Sequence, residues 1–524
     1  MPEYLTPGVY IEEIERGPKP IEGVPTSTSA FLGETERGPI RPRLVTSFTE
    51  YNRWFGNVFA DGRYLPQAVN GFFDNGGKRL YVCRIVGDGV TTASKVFGDF
   101  TVSAAGPGAW GRNVWVKFED GSTKDQLGNS GFRLKLAYWS SFPDGFQPFD
   151  PFDPKNRNVL PRPQAVEDFD DLSVQPTSSN FYTKRLIDSS TNQTVSALVR
   201  LDSASSTPAK PPLSPAEGNL LDQDGADDAN ALGPDDFQGA VAGGRDQLSG
   251  LEALELDPYR EVALVYAPHP ADNGVDIARA IIDHCENMRF RFAAIDGDRD
   301  ADPSDLDPRG TNQWDTQYAA FYAPWIVISD PLSGARRQVP PGGHVLGVYA
   351  RTDAERGVFK APANEIVRGA LDVRFEINDN TQGVLNPRGV NVIRSFPARG
   401  IRVWGARTLS SNALWKYVSV RRLFIFLEHS IYDGTQFVVF EPNDDRLWAR
   451  VKDTIRLFLR SQWRAGALFG RTEEEAFFIT CDRTTMTQDD ILNGRLICEI
   501  GIAPVRPAEF VIFRIFQNTA EFKS

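Results

Sequence analysis

The sequence contains few residues of the types that bind metals or form disulfides. Among its 524 residues there are only four cysteines and four histidines. Cys83, Cys285, Cys481 and Cys498 form no Cys-x-x-Cys motif, and none stands at a spacing from a histidine that is typical of a zinc site. We therefore expect free, buried thiols in a reducing cytoplasm, and no metal site.

Long apolar runs are also absent. No window approaches the roughly 18 uninterrupted apolar residues of a membrane helix. The segment MPEYLTPG lacks the basic and apolar stretches of a secretory signal. We expect no direct membrane insertion, and assembly in the cytoplasm. A particle found outside the cell would then have left it by lysis or by a dedicated export route.

Positive charge is in deficit. The formal net charge is −12, and residues 217–257 hold eleven acidic side chains against one basic side chain, Arg245. An acidic chain is poorly suited to the phosphate backbone of nucleic acids, so we predict no nucleic-acid partner. The local concentration of carboxylates predicts a solvated outer region.

No arrangement typical of a catalytic site is visible. His284 and Cys285 are adjacent on a predicted helix, where their side chains diverge by about 100°. No serine stands in a Gly-x-Ser-x-Gly turn. Gly71 and Gly76 resemble a phosphate-binding loop, but Gly77 replaces its lysine and a strand follows where a helix is required. We predict no enzyme activity and no cofactor.

One acidic loop keeps a metal alternative open. Residues 296–307 place carboxylates at positions 1, 3, 5, 7 and 12 of a calcium-loop template. Ala301 stands at position 6, where the sharp turn needs glycine, and position 12 is Asp307 instead of glutamate. We favour a solvated acidic loop, with calcium binding as the alternative.

The pattern near both ends of the chain is typical of β-strands without a partner. A turn at Pro7 precedes a short apolar run, and Pro507 precedes AEFVIFRIFQ. An unpaired apolar strand is an aggregation hazard unless something covers it, and such a strand can add to a neighbour's sheet. The sequence therefore predicts a polymer subunit with two intersubunit arms. The N-terminal arm residues are Tyr4, Val9, Tyr10, Ile11 and Ile14, and the C-terminal arm residues are Phe510, Val511, Ile512, Phe513, Ile515 and Phe516.

Alternating strand and helix patterns predict an α/β core. REVALVYAP, NGVDIARAIIDHCENM and RFRFAAID predict a strand, a helix and a strand, which form a β-α-β unit with parallel pairing. Dense Pro, Gly, Asp and Ser between about residues 93 and 257 predict an inserted, β-rich region. VSVRRLFIFLEHSI predicts a strand that ends at Glu428 and His429.

A long helix is predicted over residues 444–469, with Asn443 or Asp444 as its N-cap. At about 100° per residue, five arginines fall within about 120° on one face, and apolar residues occupy the opposite face. A solvated charged face is one interpretation. The other is a docking helix whose guanidinium groups meet an acidic partner. The five residues are Arg446, Arg450, Arg456, Arg460 and Arg464.

Several segments, taken in order, resemble contractile tail sheath proteins: TPGVYIEEI, IEGVPTSTSAFLGETERGP, GGHVLGVYARTDAERGVFKAPANE, WGARTLS, RRLFIFLEHSI, FEPNDDRLW and PAEFVIFRI. These proteins occur in myovirus-type phage tails and in phage-tail-like extracellular contractile injection systems, and the resemblance favours the latter. It implies a structural subunit that polymerises into a helical cylinder around an inner tube and contracts to drive the tube through a target envelope. The implied partners are further copies of the chain, the inner tube protein, and baseplate and tail terminator or cap proteins.

The resemblance also implies a multidomain fold of mixed α+β and α/β class. An N-terminal arm and linker would occupy residues 1–30, and a middle subtilisin-like α/β domain residues 31–92 and 258–400. An outer variable insertion would occupy residues 93–257, a tube-proximal α+β domain residues 401–507, and the C-terminal arm strand residues 508–524. Residues 4–15 and 509–517 would join sheets in adjacent subunits, and the arginine helix would face the tube.

Two alternatives remain at this point. The chain could be a non-contractile structural polymer, such as a capsid or surface-layer subunit. A less favoured alternative is a subtilisin-like α/β hydrolase, which would need a Ser/His/Asp set.

Overall fold

The chain divides into two compact units, each described by itself. The large unit comprises Pro25–Arg422, and the small unit comprises Met1–Val24 with Leu423–Ser524. The computed structural model describes residues 20–56, 62–124, 130–191, 193–215, 218–221, 224–227, 231–239, 248–268, 274–331 and 333–514. Within these ranges, no helix is both long and apolar enough to cross a membrane.

The large unit begins with three strands and two helices, and its glycines serve packing. A Cβ at Gly71 would lie 2.3 Å from the ring of His344, and Gly76 has φ +113° beside Arg351. The glycines that resemble a phosphate loop therefore allow close contact between two helices. The elements are β1 (Ser29–Gly33), β2 (Arg43–Val45), α1 (Phe48–Phe55), α2 (Leu65–Asp74) and β3 (Leu80–Arg84).

The region after β3 builds a β-rich insertion with its own core. The order of strands is β11-β5-β4 in one sheet and β12-β6-β7-β8 in another, with β9 and β10 paired separately. Phe100, Phe118 and Phe132 pack together in the core. The elements are β4 (Ser94–Phe97), β5 (Phe100–Ala104), β6 (Val114–Lys124), β7 (Ser130–Tyr138), β8 (Ala165–Leu172), α3 (Tyr182–Leu186), β9 (Ile187–Asp188), β10 (Gln193–Thr194), β11 (Val199–Ser203) and β12 (Asn219–Leu220).

Polar contacts join the insertion to the rest of the large unit. The Tyr138 hydroxyl donates to Glu36 at 2.8 Å, and Arg84 Nη1 donates to the carbonyl oxygen of Pro107 at 2.7 Å. The buried residues of the insertion core are separate from those of the main core. The insertion is therefore a distinct packing unit.

The remainder of the large unit alternates strands and helices. The predicted β-α-β unit is confirmed, because β13, α6 and β14 follow in order and the two strands pair in parallel. The elements are α4 (Pro234–Gln238), α5 (Gly250–Leu254), β13 (Leu264–Tyr266), α6 (Gly274–Met288), β14 (Phe292–Asp296), β15 (Ala319–Ala323), β16 (Ile326–Ser329), β17 (Arg336–Val339), α7 (Gly342–Arg356), β18 (Glu365–Ile366), β19 (Ala370–Val373), α8 (Asp379–Leu385), β20 (Val390–Phe396) and β21 (Gly400–Val403).

A nine-stranded mixed sheet forms the centre of the large unit. Its order is β18-β21-β20-β15-β14-β13-β1-β3-β2. The six strands from β20 to β3 pair in parallel, and the edge strands β2, β21 and β18 pair antiparallel. The parallel strands β1, β13 and β15 are fully buried, as expected for strands covered on both faces.

A buried ion pair holds the two ends of the large unit together. Asp353 on α7 accepts hydrogen bonds from Arg422 Nη1 at 3.0 Å and Nη2 at 2.5 Å, and from Thr26 Oγ1 at 2.7 Å. Arg422 Nη2 also donates to the carbonyl oxygen of Thr26 at 2.9 Å. The guanidinium lies 4.7 Å from the Tyr349 ring centre. We call Asp353, Arg422 and Thr26 the Asp353 node.

The small unit is built on two long helices and a small sheet. The Phe426 and Phe458 rings pack with centres 6.0 Å apart, which joins α9 to α10. The sheet consists of β22 and β23, paired antiparallel. The elements are α9 (Val418–Gly434), which begins in the large unit, α10 (Asp445–Arg464), α11 (Glu473–Ala476), β22 (Phe477–Thr480), α12 (Gln488–Leu492) and β23 (Glu499–Ile502).

The prediction of a strand ending at Glu428 and His429 is wrong. Both residues lie inside α9. Residues 418–423 are all buried, as are Ile425 and Leu427. A helix buried around most of its circumference shows no period of 3.6, so its sequence cannot be told from a buried strand by periodicity. Its length of 17 residues is the feature that favours a helix.

Candidate assembly surface

Exposed aromatic side chains are concentrated in the small unit. Among the described residues, the exposed large hydrophobic side chains of the large unit are all aliphatic. Exposed apolar patches on a soluble protein mark interaction surfaces. The small unit is therefore the candidate assembly surface. Its exposed aromatic residues are Tyr432, Phe437, Phe440, Phe469, Phe478, Phe510 and Phe513.

The β22–β23 sheet has two open edges. Neither strand has a second strand partner among the described residues. Phe477 is buried, whereas its neighbour Phe478 is exposed, as the alternation of a strand requires. A two-stranded sheet with four residues in each strand is marginal in isolation. Strand addition at either edge would supply the missing pairing.

The described part of the predicted C-terminal arm lies free of the sheet. Val505 N still donates to the carbonyl oxygen of Ala467 at 3.2 Å. Beyond it, residues 506–514 contain no strand, and Phe510, Val511, Ile512 and Phe513 are 67–84% exposed. Ile515 and Phe516 lie outside the described residues. The strand predicted here has no partner within the described part of the chain.

The predicted N-terminal arm residues Tyr4, Val9, Tyr10, Ile11 and Ile14 all lie outside the described residues. The linker that follows is anchored on α9. Val24 N donates to Ser430 Oγ at 3.1 Å. Ile21 is buried beside Gly434, and a Cβ at Gly23 would lie 2.8 Å from the Phe426 ring. Residues 21–24 of the linker are therefore held in a fixed position on α9.

The predicted arginine helix is α10, which ends at Arg464 and not at residue 469. Asp444 is the N-cap and accepts a hydrogen bond from Leu447 N at 2.8 Å, as predicted. The apolar face is buried and includes Leu447, Val451, Ile455 and Phe458. The opposite face presents the arginines, so the amphipathic pattern fixes the orientation of the helix in the small unit.

The five arginines differ in their contacts. Arg446 and Arg464 are exposed and have no ionic partner among the described residues. Arg450 lies 3.7 Å from Glu441, and its guanidinium lies 4.7 Å from the Phe437 ring centre. Of the five arginines, therefore, only Arg446 and Arg464, near the two ends of α10, have no ionic partner among the described residues.

Glu473 on α11 occupies the other two arginines. Arg456 Nε donates to its carboxylate, and Arg460 Nε donates to it at 2.6 Å. Burial alone would raise the pKa of Glu473, but the hydrogen bonds from both guanidinium groups outweigh burial and lower the pKa. The exposed residues Leu457 and Asp453 also lie on the face of α10 that carries the five arginines. No sequence signal identifies Glu473, because its contacts with α10 span 13 and 17 residues across a turn.

Phe440 is a surface residue that sequence reasoning missed. It lies between α9 and α10, its φ is +68°, and its side chain is fully exposed. Positive φ is unusual for a bulky residue and costs of the order of 1–3 kcal/mol. A ring held outward in this conformation is a candidate contact for a partner.

The carboxylates of the acidic loop that resembles a calcium site form hydrogen bonds and ion pairs within the chain. Asp302 accepts from Ser304 N, and Asp300 pairs with Arg299 and Arg374. Across the described ranges, no group of three or more Asp, Glu, His or Cys could hold a metal ion. The calcium alternative therefore gains no support from the acidic loop.

The described histidines lie in the interior. His284 Nε2 lies 2.5 Å from Arg291 Nη1, and its pKa is lowered to about 3, first by burial and then by the Arg291 charge. Burial lowers the pKa of His344 to about 4. His269 lies outside the described residues. Neutral, buried imidazoles of this kind are typical of packing positions.

Sequence comparison gives matches along more than half of the chain. The model for the phage tail sheath protein central domain matches residues 240–409, and the model for the phage tail sheath C-terminal domain matches residues 410–518. A prophage major tail sheath protein of Pseudomonas aeruginosa (strain UCBPP-PA14) is 26% identical over 301 residues. That alignment covers 54% of this chain and 73% of the relative.

Structural comparison extends over nearly the whole chain. The anti-feeding prophage helical sheath in the contracted state matches with a TM-score of 0.57 and 23% identity, covering 98% of this chain and 99% of that one. The sheath complex of the extracellular contractile injection system PVC, also contracted, matches with a TM-score of 0.56 and 23% identity, covering 99% and 100%. At these identities the likeness shows the fold.

Proposed function

Since the chain belongs to the phage tail sheath family and is a structural subunit of a contractile tail sheath, we propose that its copies form a hollow helical cylinder. In this cylinder both chain ends of each subunit add as β-strands to sheets of neighbouring subunits. One observation carries the proposal. The apolar side chains of residues 510–513 are exposed and belong to no strand, in a unit that also holds a two-stranded sheet open at both edges.

The β22–β23 sheet is the proposed acceptor of the arms. One edge would take the C-terminal arm, residues 509–517, of one neighbour, and the other edge the N-terminal arm, residues 4–15, of another. Head-to-tail contacts of this kind do not close on themselves and generate a helical filament. Each subunit would then complete the marginal sheet of its neighbour.

The energy of one arm is small. Burying a large apolar side chain contributes roughly 1.5–3 kcal/mol. Side chains alternate between the two faces of a strand, so two of the four at residues 510–513 would be buried on the acceptor. Ordering each backbone residue costs about 1–2 kcal/mol, or about 4–8 kcal/mol for four residues, which cancels the roughly 3–6 kcal/mol gained from two side chains. Stable assembly therefore depends on many arms acting together at high effective concentration.

Strand exchange also suits a contractile lattice. Its main-chain hydrogen bonds do not depend on side-chain packing, so they persist while the bodies of the subunits rotate. We propose that the extended cylinder is metastable and that a trigger from the baseplate starts its contraction. Subunits then form more favourable contacts with each other, the cylinder shortens, and the inner tube advances without a nucleotide.

α10 is the proposed tube-facing element. Arg446 and Arg464 would bind carboxylates of the inner tube, because neither has an ionic partner among the described residues. Arg456 and Arg460 would act indirectly, because Glu473 already neutralises part of their charge. Phe440 would add an apolar contact beside the helix N-terminus.

The remaining parts of the proposal follow the resemblance. The middle domain is subtilisin-like without a catalytic role, residues 93–257 are the outer variable insertion, and residues 401–507 are the tube-proximal domain. The baseplate and a terminator or cap protein bind the ends of the cylinder. The subunit assembles in the cytoplasm as part of a phage tail or a tail-like particle, and lysis releases the particle.

Negative-stain microscopy of the purified chain tests the proposal. Hollow helical cylinders are expected, whereas flat lattices would favour a surface layer and single particles would contradict polymerisation. Deletion of residues 508–524 should leave a folded monomer that forms no cylinders.

A charge substitution gives a matched test of the arm. Phe510→Asp with Ile512→Asp alters two exposed residues on one face of the arm strand and should abolish cylinders. The control is Leu160→Asp with Leu213→Asp, two exposed leucines of the insertion, which should assemble normally. Equal assembly of both variants would contradict the role of the arm.

A further inference from the structure

Cys481 and Cys498 face each other at one end of the β22–β23 sheet. The ladder pairs Phe477 with Ile502 and ends with Thr480 opposite Glu499. The next pair in register is Cys481 with Cys498, and the two thiols are close enough for each to influence the pKa of the other. Both cysteines are free.

The register places this pair at a position suited to a disulfide. Ala503 N donates to the carbonyl oxygen of Ala476 at 2.9 Å, which defines a hydrogen-bonded pair of the ladder. Pairs alternate in type along an antiparallel ladder, so the cysteines, five steps further on, form a non-hydrogen-bonded pair. Cα atoms in such pairs are about 4.5 Å apart. This separation lies inside the range of about 4.4–6.8 Å that a disulfide can span.

The two thiols differ in access. Cys481 is buried, with 2% of its surface exposed, and Cys498 is half-buried. Burial raises the pKa of both thiols, that of Cys498 to about 12. The thiolate is the reactive form, so reaction at neutral pH is slow. Cys83 and Cys285 are fully buried and far from each other in sequence.

We propose that Cys481 and Cys498 are a site of oxidative modification, at which a small aliphatic disulfide converts the two thiols into an intramolecular disulfide. The Cys498 thiolate attacks one sulfur of the small disulfide, forming a mixed disulfide and releasing one small thiolate. The Cys481 thiolate then attacks the Cys498 sulfur and releases the second. The two protons lost by the cysteines are taken up by the two small thiolates. Two cysteines are oxidised, and one small disulfide is reduced to two thiols.

The disulfide would change the sheet that we propose as the arm acceptor. It would close the loop of residues 482–497, which includes α12, and fix that loop to the end of the sheet. This consequence rests on the proposed function, whereas formation of the bond does not. A subunit made in a reducing cytoplasm would assemble with free thiols and acquire the crosslink after the particle enters an oxidising medium.

Mass spectrometry of the full-length protein tests the proposal. The reduced protein is incubated with oxidised glutathione, alkylated with iodoacetamide and digested with trypsin. The expected product links peptide 472–483 to peptide 496–514, with two hydrogens fewer than the two separate peptides. Cys83 and Cys285 are the internal controls and should be alkylated only after unfolding. The rate of crosslinking should rise about tenfold per pH unit between pH 7 and 9, with the thiolate fraction.

Single variants separate the two steps. Cys481→Ser should stop at a mixed disulfide with glutathione on Cys498, and Cys498→Ser should form neither product at this site. If the natural chain also stops at the mixed disulfide, or if both thiols remain alkylatable after prolonged exposure, the proposal is overturned. Because the readout is a bond within one chain, its failure leaves cylinder formation intact. Normal crosslinking in a chain that forms no cylinders would count against the proposed function alone.

Discussion

Asp296 is a buried carboxyl group whose ionisation should make the stability of the large unit depend on pH. It lies at the end of β14, where the residue as a whole is partly exposed while its carboxyl oxygens are engaged in hydrogen bonds. Its Oδ1 accepts from Gly342 N at the start of α7 at 2.8 Å, and its Oδ2 accepts from the Tyr266 hydroxyl at 2.5 Å. Burial raises the pKa of Asp296 from 3.8 to about 7, although both hydrogen bonds oppose the rise.

Proton linkage gives the direction in which the free energy of unfolding changes with pH. Because the pKa is higher in the folded than in the unfolded protein, the protonated carboxyl stabilises the fold. That contribution is complete below about pH 3.8 and is lost as the pH rises through 7. At about 1.4 kcal/mol for each tenfold change in proton affinity, the loss is about 4 kcal/mol. The positive end of the α7 dipole favours the ionised form, so this figure is an upper bound.

The substitution Asp296→Asn removes the titration and keeps the shape of the side chain. We expect the variant to be more stable than the natural chain at pH 8, and to lose this advantage by pH 4. Urea unfolding followed by tryptophan fluorescence measures the difference. Trp325 is a nearby reporter, because its Nε1 donates to the carbonyl oxygen of Gly297 at 2.8 Å.

The control is Asp298→Asn, which changes an exposed carboxylate in the same segment. It should follow the pH dependence of the natural chain. If the Asp296→Asn variant also follows that dependence between pH 4 and 8, Asp296 does not titrate in this range and the reasoning is refuted.

Two further predictions concern buried and exposed arginines. Arg446→Glu with Arg464→Glu should abolish co-assembly with purified inner tubes while cylinders still form. Lys95→Glu with Arg112→Glu, two insertion residues without an ionic partner in the described ranges, makes the same charge change and should leave co-assembly intact; equal loss in both would show a general charge effect. Asp353→Asn should destabilise the large unit by about 3–5 kcal/mol, because it leaves the Arg422 charge buried without its anion. Thermal unfolding of this variant should show a lower midpoint temperature than that of the natural chain. Adding Arg422→Met to Asp353→Asn should recover part of the lost midpoint temperature. An unchanged midpoint for the single variant would contradict a stabilising role of the Asp353 node.

The α/β core was predictable because its pattern is local. Six consecutive apolar residues before Pro268, at positions 262–267, and a 15-residue helical pattern identify β13 and α6 without knowledge of the rest of the chain. The order of the nine-stranded sheet was not predictable, because β1 lies between β3 and β13 and the insertion separates those two strands by 180 residues. Helix α9 was not predictable for the opposite reason, since its burial on most sides removes the 3.6-residue periodicity that distinguishes a helix from a strand.

The assembly surface was predictable in part. The exposed apolar side chains at residues 510–513 agree with the sequence pattern, in which a run of apolar residues follows Pro507. The contacts of Glu473 with Arg456 and Arg460 depend on how α11 folds back along α10, and no spacing encodes that arrangement. Phe440 was missed because an outward ring at positive φ is a property of the backbone and not of the residue type.

The separate core of the insertion has a consequence for divergence within lineages. Mutations more than about 7–10 Å apart that share no partner combine additively. Changes around Phe100, Phe118 and Phe132 should therefore leave the register of the parallel sheet undisturbed, provided that polar links such as that between Tyr138 and Glu36 are kept. Recombination could then exchange the whole segment between related genes as a cassette, and the residues of the parallel sheet would not have to adapt again.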